Sequence, residues 1–179
     1  MKLIILDQTG VINQSSDAFI KTPEEWIPIP GSLDAIARLT HSGYRVVIAT
    51  NQSGIGRGLL DMATYNAIND KMYKAVNQAG GRIDAIFFCP HTNADKCSCR
   101  KPATGLLDEI MQRYGVNLKN APAVGDSLKD LQAAAAVGAI PMLVLTGNGQ
   151  TTRTAKEIPA GTQIFENLAA VADALAREE

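Results

Sequence analysis

Short unbroken apolar runs alternate along this chain with longer stretches in which apolar residues recur every three or four positions. The runs LIILD (3–7), RVVIATN (45–51), AIFFCP (85–90), PAVGD (122–126) and PMLVLTG (141–147) barely alternate with polar residues. That pattern predicts strands covered on both faces. Between them, GSLDAIARLTHSG (31–43), DMATYNAINDKMYKAVNQAGG (61–81), GLLDEIMQRYG (105–115), SLKDLQAAAAVG (127–138) and NLAAVADALAREE (167–179) have helical spacing. Asp61 is placed to cap the second of these helices, and a glycine stops the first. Strands alternating with helices predict an α/β fold, a parallel sheet with helices on both faces and right-handed crossovers. No repeat, low-complexity tract or linker interrupts the pattern, so residues 1–179 are read as one domain.

Two segments are too long for simple connections. VINQSSDAFIKTPEEWIPIPG (11–31) is polar, proline-rich and carries the single tryptophan, and CPHTNADKCSCRKPATG (89–105) follows the third strand. Both emerge beyond the carboxyl ends of strands, where sheets of this kind bind ligands, so both are expected to serve function.

The strand ends share a chemistry. Asp7 closes the first strand, Thr50-Asn51-Gln52-Ser53-Gly54 the second, and Gly125-Asp126-Ser127 the fourth, while Arg100-Lys101-Pro102 follows the cysteine-rich loop. Any one of these residues is an ordinary turn former, and Asp126-Ser127 alone could merely cap a helix. Together they place two carboxylates, hydroxyl and amide donors and two cations in one cleft. Crowded carboxylates need a neutralising cation, and Mg²⁺, which binds few carboxylates and shares its shell with phosphate oxygens, suits them. Lys101, Thr50 and backbone N–H groups would then hold a phosphate.

Cys89, His91, Cys97 and Cys99 offer three thiolates and one imidazole within eleven residues. An odd cysteine count this crowded argues against a disulfide framework and for metal in a reducing compartment. Four protein ligands match a closed, structural zinc site with no position left for a reacting water. The loop leads directly into Arg100-Lys101, so zinc there would fix both cations. His41 reads as a plain surface residue at a helix end, and Arg57 either touches substrate or sits in a glycine-rich turn.

Bulk properties narrow the partners. A formal charge of −1 gives no field to recruit nucleic acid or an anionic membrane. No apolar run approaches the ~18 residues of a membrane helix, and MKLIILDQTG is too short for a signal peptide. A cytoplasmic monomer acting on a small molecule is expected.

In order and spacing, LIILDQTG, VVIATNQSG, CRKP and VGDSLKD resemble the haloacid-dehalogenase superfamily of phosphohydrolases. Within it, NQSGIGRG (51–58) with the CPH…CSCRKP loop resembles the D-glycero-D-manno-heptose 1,7-bisphosphate phosphatases of bacterial surface-polysaccharide synthesis. The resemblance implies a Rossmann-like core without a separate cap domain, and removal of the 7-phosphate. It implies Asp7 as the nucleophile that becomes an aspartyl phosphate, with Thr50 and Lys101 on the transferring group. Mg²⁺ would be held by Asp7, the main-chain carbonyl of Thr9 and Asp126, with Asp130 in support. Arg100 would recognise the distal phosphate. Asn51, Gln52 and Ser53, Ser127, and the stretch Ser15, Ser16, Asp17 to Ala18 fall where the family meets substrate. The same zinc is implied.

One departure matters. The family reads D-x-D at the first strand, and this chain reads Asp7-Gln8-Thr9. Thr9 keeps the carbonyl for Mg²⁺ and can hydrogen-bond, but it cannot act as a general acid or base near neutral pH. Turnover is therefore expected to be impaired and the phosphoenzyme to persist. Two other readings stay open on the sequence: a histidinol-phosphate or other small phosphomonoester phosphatase, and a sugar-phosphate binding protein of little catalytic power.

Overall fold

In the computed structural model, which describes residues 1–178, the five expected strands form and a sixth joins them. They are β1 (Lys2–Leu6), β2 (Tyr44–Asn51), β3 (Ala85–Cys89), β4 (Pro122–Gly125), β5 (Ile140–Val144) and β6 (Gln163–Phe165). All neighbours pair in parallel, in the order β3-β2-β1-β4-β5-β6. The helices are α1 (Ser32–His41), α2 (Ser53–Gly56), α3 (Met62–Gln78), α4 (Gly105–Tyr114), α5 (Leu128–Ala136), α6 (Gly149–Thr152) and α7 (Leu168–Arg177). Glu179, included in the last expected helix, lies outside the described residues.

Alternation along β1 explains the two-sided core. Ile4 and Leu6 face a cluster with Ile36, Leu39, Ile68, Met72, Val171 and Leu175. Leu3 and Ile5 face the other side, with Leu106, Leu107, Ile110, Ala133 and Ala134. Helices thus cover both faces, as unbroken apolar strands require. The expectation of burial on both faces fails at β3, whose Ile86, Phe87 and Phe88 are only half-buried because it is an edge strand. Asp61 caps α3 as expected, its carboxylate accepting from Thr64 N at 2.8 Å. His41 ends α1 on the exposed surface.

The long segment after β1 is a strap rather than a free loop. Gln14 N donates to Ile27 O at 2.8 Å and Ile29 N to Ile12 O at 2.9 Å, so the chain folds back on itself. Trp26, 1% exposed, plugs the strap into the core. Lys71 on α3 holds it from outside, its Nζ donating to Pro23 O at 2.7 Å and Trp26 O at 2.9 Å.

Candidate active site

Because every strand runs the same way, the polar residues that follow them meet at one edge of the sheet. Asp7 leaves β1 with its N–H donating to Val124 O of β4 at 2.9 Å. Its carboxylate accepts from Gln8 N at 2.8 Å. Asp7, Asp126 and Asp130 bring ligand atoms within 4.8 Å of one another. Lys101 Nζ lies 3.0 Å from Asp130 Oδ1 and 3.9 Å from Asp7 Oδ1. It also donates to Ala49 O. Lys101 belongs to the cysteine-rich excursion, and Asn51 clamps it there: Asn51 Nδ2 donates to Lys101 O at 3.2 Å and Asn51 Oδ1 accepts from Lys101 N at 3.0 Å.

Asp126 is fixed by residues after β5 that the sequence reading did not single out. Asn148 N donates to its Oδ2 at 2.9 Å, and Thr152 Oγ1 to its main-chain oxygen at 2.8 Å. Thr146 Oγ1 donates to Gly10 O at 2.7 Å and ties this segment to the turn after Asp7. The polar run TGNG at that strand end was the available signal. Gly10 has φ +87°, and a Cβ there would stand 2.1 Å from Asp126 Oδ2, so only glycine lets the turn pass the carboxylate. Ser127 is the N-cap of α5 in a capping box with Asp130. Its hydroxyl donates to Asp130 Oδ2 at 2.9 Å.

Burial, then the nearby charge of Asp130, pushes the Asp7 carboxyl well above the ordinary carboxylate range, against the pull of Lys101. The same causes raise Asp126 to about 7. Burial also works against Asp130, but the Lys101 ammonium and hydrogen bonds from Lys101 and Ser127 hold its carboxyl low. Lys101 stays charged despite burial because Asp130 and Asp7 face it. Three carboxylates against one ammonium leave surplus negative charge, which a divalent cation coordinated by oxygen relieves. The donor set fits Mg²⁺.

The cysteine loop gathers its four groups. Cys99 Sγ lies 2.8 Å from Cys89 Sγ and 3.6 Å from Cys97 Sγ, and Cys89 Sγ lies 3.5 Å from Cys97 Sγ. His91 Nδ1 stands 3.6 Å and 3.3 Å from the sulfurs of Cys89 and Cys99. Zn–S bonds of ~2.3 Å give a tetrahedron with edges of roughly 3.7 Å; the Cys97 distances match it, the Cys89–Cys99 pair would have to open from 2.8 Å, and the donor set suits zinc. Arg100 is pinned to that loop, Nε donating to Asn93 Oδ1 at 2.7 Å and one terminal nitrogen to His91 O at 3.4 Å.

Other expected substrate residues are more peripheral. Ser15, Ser16 and Asp17 are exposed on the strap, where Ser16 Oγ accepts from Ala18 N at 3.2 Å. Arg57 stacks its guanidinium over Phe19 at 5.5 Å, joining the end of α2 to the strap. Ser53 is buried at the start of α2. Thr50 is buried at the end of β2, its Oγ1 accepting from Gln52 Nε2 at 3.3 Å. Thr9 sits beside Asn13, whose Nδ2 approaches its Oγ1 at 3.5 Å.

Comparison with known proteins decides the family. The chain is 60% identical over 178 residues, 99% of either sequence, to a protein from Bordetella bronchiseptica named D-glycero-beta-D-manno-heptose-1,7-bisphosphate 7-phosphatase. A Pseudomonas aeruginosa protein of the same name is 51% identical over 173 residues, 97% of either sequence. The chain belongs to the heptose-bisphosphate phosphatase family of HAD-like hydrolases. Residues 98–171 match the HAD-hydrolase-like family model. The crystal structure of the B. bronchiseptica D,D-heptose 1,7-bisphosphate phosphatase, complexed with magnesium and phosphate, superposes with a TM-score of 0.98 at 59% identity, covering 100% of both chains.

Proposed function

We propose that this chain removes the 7-phosphate of D-glycero-beta-D-manno-heptose 1,7-bisphosphate, as a monomeric, single-domain, Mg²⁺-dependent phosphatase of the cytoplasm. The observation that carries the reading is the Asp7–Asp126–Asp130–Lys101 cluster, set in a chain that matches the named phosphatases end to end. The names of the relatives described above do not favour the histidinol-phosphate alternative. No helix among the described residues is long and apolar enough to cross a membrane. The free cysteines fit a reducing compartment. The net charge offers nothing to a nucleic acid.

Asp7, the Thr9 carbonyl and Asp126 would hold Mg²⁺, which would supply positive charge to the phosphoryl oxygens. Asp7 attacks phosphorus, the bond from phosphorus to the 7-oxygen breaks, and the oxygen leaves with a proton drawn from solvent, since Thr9 has none to give. Lys101 and the Thr50 hydroxyl balance the charge of the transferring group. Water then attacks the aspartyl phosphate, releasing orthophosphate and restoring the Asp7 carboxylate. Arg100 takes the distal phosphate, aided by Asn51, Gln52, Ser53, Arg57, Ser127 and the Ser15–Asp17 stretch.

Phosphorus NMR of the heptose bisphosphate with enzyme and Mg²⁺ tests this directly. The 7-phosphomonoester resonance gives way to orthophosphate while the anomeric phosphate remains. Binding of the sugar without release of orthophosphate, or loss of the anomeric signal first, overturns it.

Zinc on Cys89, His91, Cys97 and Cys99 is the second metal of the proposal, with a structural role. Its removal by a strong chelator releases one zinc per chain, exposes the three thiols to a thiol reagent and frees Arg100 and Lys101 to move. The midpoint of thermal unfolding drops, and phosphate release slows even when Mg²⁺ is restored. A chelated protein with unchanged melting and rate would remove zinc from the account.

A further inference from the structure

Behind the phosphoryl edge Gln8, Tyr65 and Asn69, which no step above uses, are hydrogen-bonded to Gln52 and through it to Thr50. Gln8 follows the nucleophile yet is 2% exposed, its side chain turned into the protein toward α3. Its Nε2 donates to Asn69 Oδ1 at 2.9 Å and approaches Met72 Sδ at 3.6 Å. Its Oε1 accepts from the Tyr65 hydroxyl at 3.0 Å and from Gln52 Nε2 at 3.4 Å. The remaining hydrogen of Gln52 Nε2 goes to Thr50 Oγ1 at 3.3 Å.

With Asn69 Oδ1 as the acceptor from Gln8, donor and acceptor counting leaves the rest of this network one orientation. Both lone pairs of Gln8 Oε1 are taken by donors. Turning that amide over would set its NH₂ against the NH₂ of Gln52 and its oxygen against Asn69 Oδ1. Gln52 therefore presents donors inward, one to Gln8 and one to Thr50. Thr50 Oγ1 receives a hydrogen from behind, and its own hydrogen, which reaches Asn51 O only at a long 3.5 Å, can turn to an acceptor in front. Thr50 lies two residues past Ile48, the partner of the last residue of β1, and so stands at the same edge of the sheet as Asp7 and Gln8. A buried, fully satisfied network of this kind holds its members in place more firmly than separate bonds would.

We infer that Tyr65 is a positioning residue for phosphoryl binding, its phenol acting through Gln8 and Gln52 to set the Thr50 hydroxyl as a donor to the phosphoryl group. Tyr65 lies on α3 and is buried, stacked on Phe88 with ring centroids 5.0 Å apart. The inference rests on the proposed contact between Thr50 and the transferring group.

The test is a double-mutant cycle read by calorimetric titration of the full chain with orthophosphate in the presence of Mg²⁺. Tyr65→Phe keeps the ring and its stacking and removes only the hydroxyl. Thr50→Ala weakens orthophosphate binding by about tenfold and Tyr65→Phe by roughly three- to tenfold, the range of one hydrogen bond to a charged acceptor. The double variant binds no more weakly than Thr50→Ala alone, because the phenol acts through that hydroxyl. Thr50→Ser restores both the affinity and its sensitivity to Tyr65→Phe. A purely structural tyrosine gives multiplying effects in the double variant, and that result overturns the inference, as does a Tyr65→Phe protein with parental affinity. If Thr50→Ala binds orthophosphate as tightly as the parent, the contact assigned to Thr50 fails, and the inference falls with it. Additive effects with a weakened Thr50→Ala sink the inference alone.

Discussion

Thr9→Asp raises the steady-state rate of phosphate release from the heptose bisphosphate by about 10²–10⁴-fold, the usual worth of general acid–base assistance. The 7-oxygen leaves as a poor, basic leaving group unless a proton reaches it. Thr9 stands two residues after Asp7, where the resembled pattern D-x-D has its acid, and its hydroxyl does not titrate near neutrality. The other acids are already committed. Asp126 is held by Asn148 and proposed as a metal ligand, while Asp130 is paired with Lys101 and capped by Ser127. The second step suffers too, because nothing activates the water that attacks the aspartyl phosphate. Acid quenching during turnover should therefore trap an acyl phosphate on the parent and far less on the variant. Equal rates for the two proteins would mean that another group delivers the proton.

Asp7→Asn lowers phosphate release by at least about 10⁴-fold, in line with the loss of a nucleophile, and no acyl phosphate is trapped. The same change stabilises the protein when no divalent cation is present. Asp7 is buried beside two further carboxylates, and its raised pKa records the cost of ionising it there. Removing that charge leaves Lys101 paired with Asp130 at 3.0 Å. The melting midpoint rises by about 2–4 °C for each kcal/mol relieved in a chain of this length. Added Mg²⁺, which stabilises the parent, shifts the variant much less. A variant that loses activity and also melts lower without Mg²⁺ would contradict the electrostatic account, and one that keeps its rate would place the nucleophile elsewhere.

The strands that carry the site were legible because each is an unbroken apolar run ending abruptly in chemistry-bearing residues. The zinc loop was legible because all four ligands are close in sequence. β6 was not, since its three mostly exposed residues QIF carry no apolar signal and pair only at the edge of β5. The four-residue helices α2 and α6 are too short to show a period. Gln8, Tyr65 and Asn69 were missed for a different reason. Asn69 lies in a mixed helix and reads as solvent-facing, and its burial depends on Gln8, 61 positions away. Pairings of that kind are made by the fold and leave no local pattern. Asn51 is an intermediate case: its place at a strand end marked it for substrate, and the structure adds a clamp on the Lys101 backbone that the sequence does not show.

The strand order also shapes how the protein is made. β1 lies between β2 and β4, yet β4 is synthesised long after β2 and β3. A chain still on the ribosome can pair its first three strands while the other side of β1, apolar and flat, stays open. Such an edge invites pairing with other chains, so the half-made protein is the form most exposed to aggregation and most in need of a chaperone. When β4 docks, it closes that edge and in the same movement brings Asp126 and Asp130 against Asp7. Electrostatic repulsion at the catalytic edge is thus deferred until β4 joins a sheet in which β1, β2 and β3 are already paired.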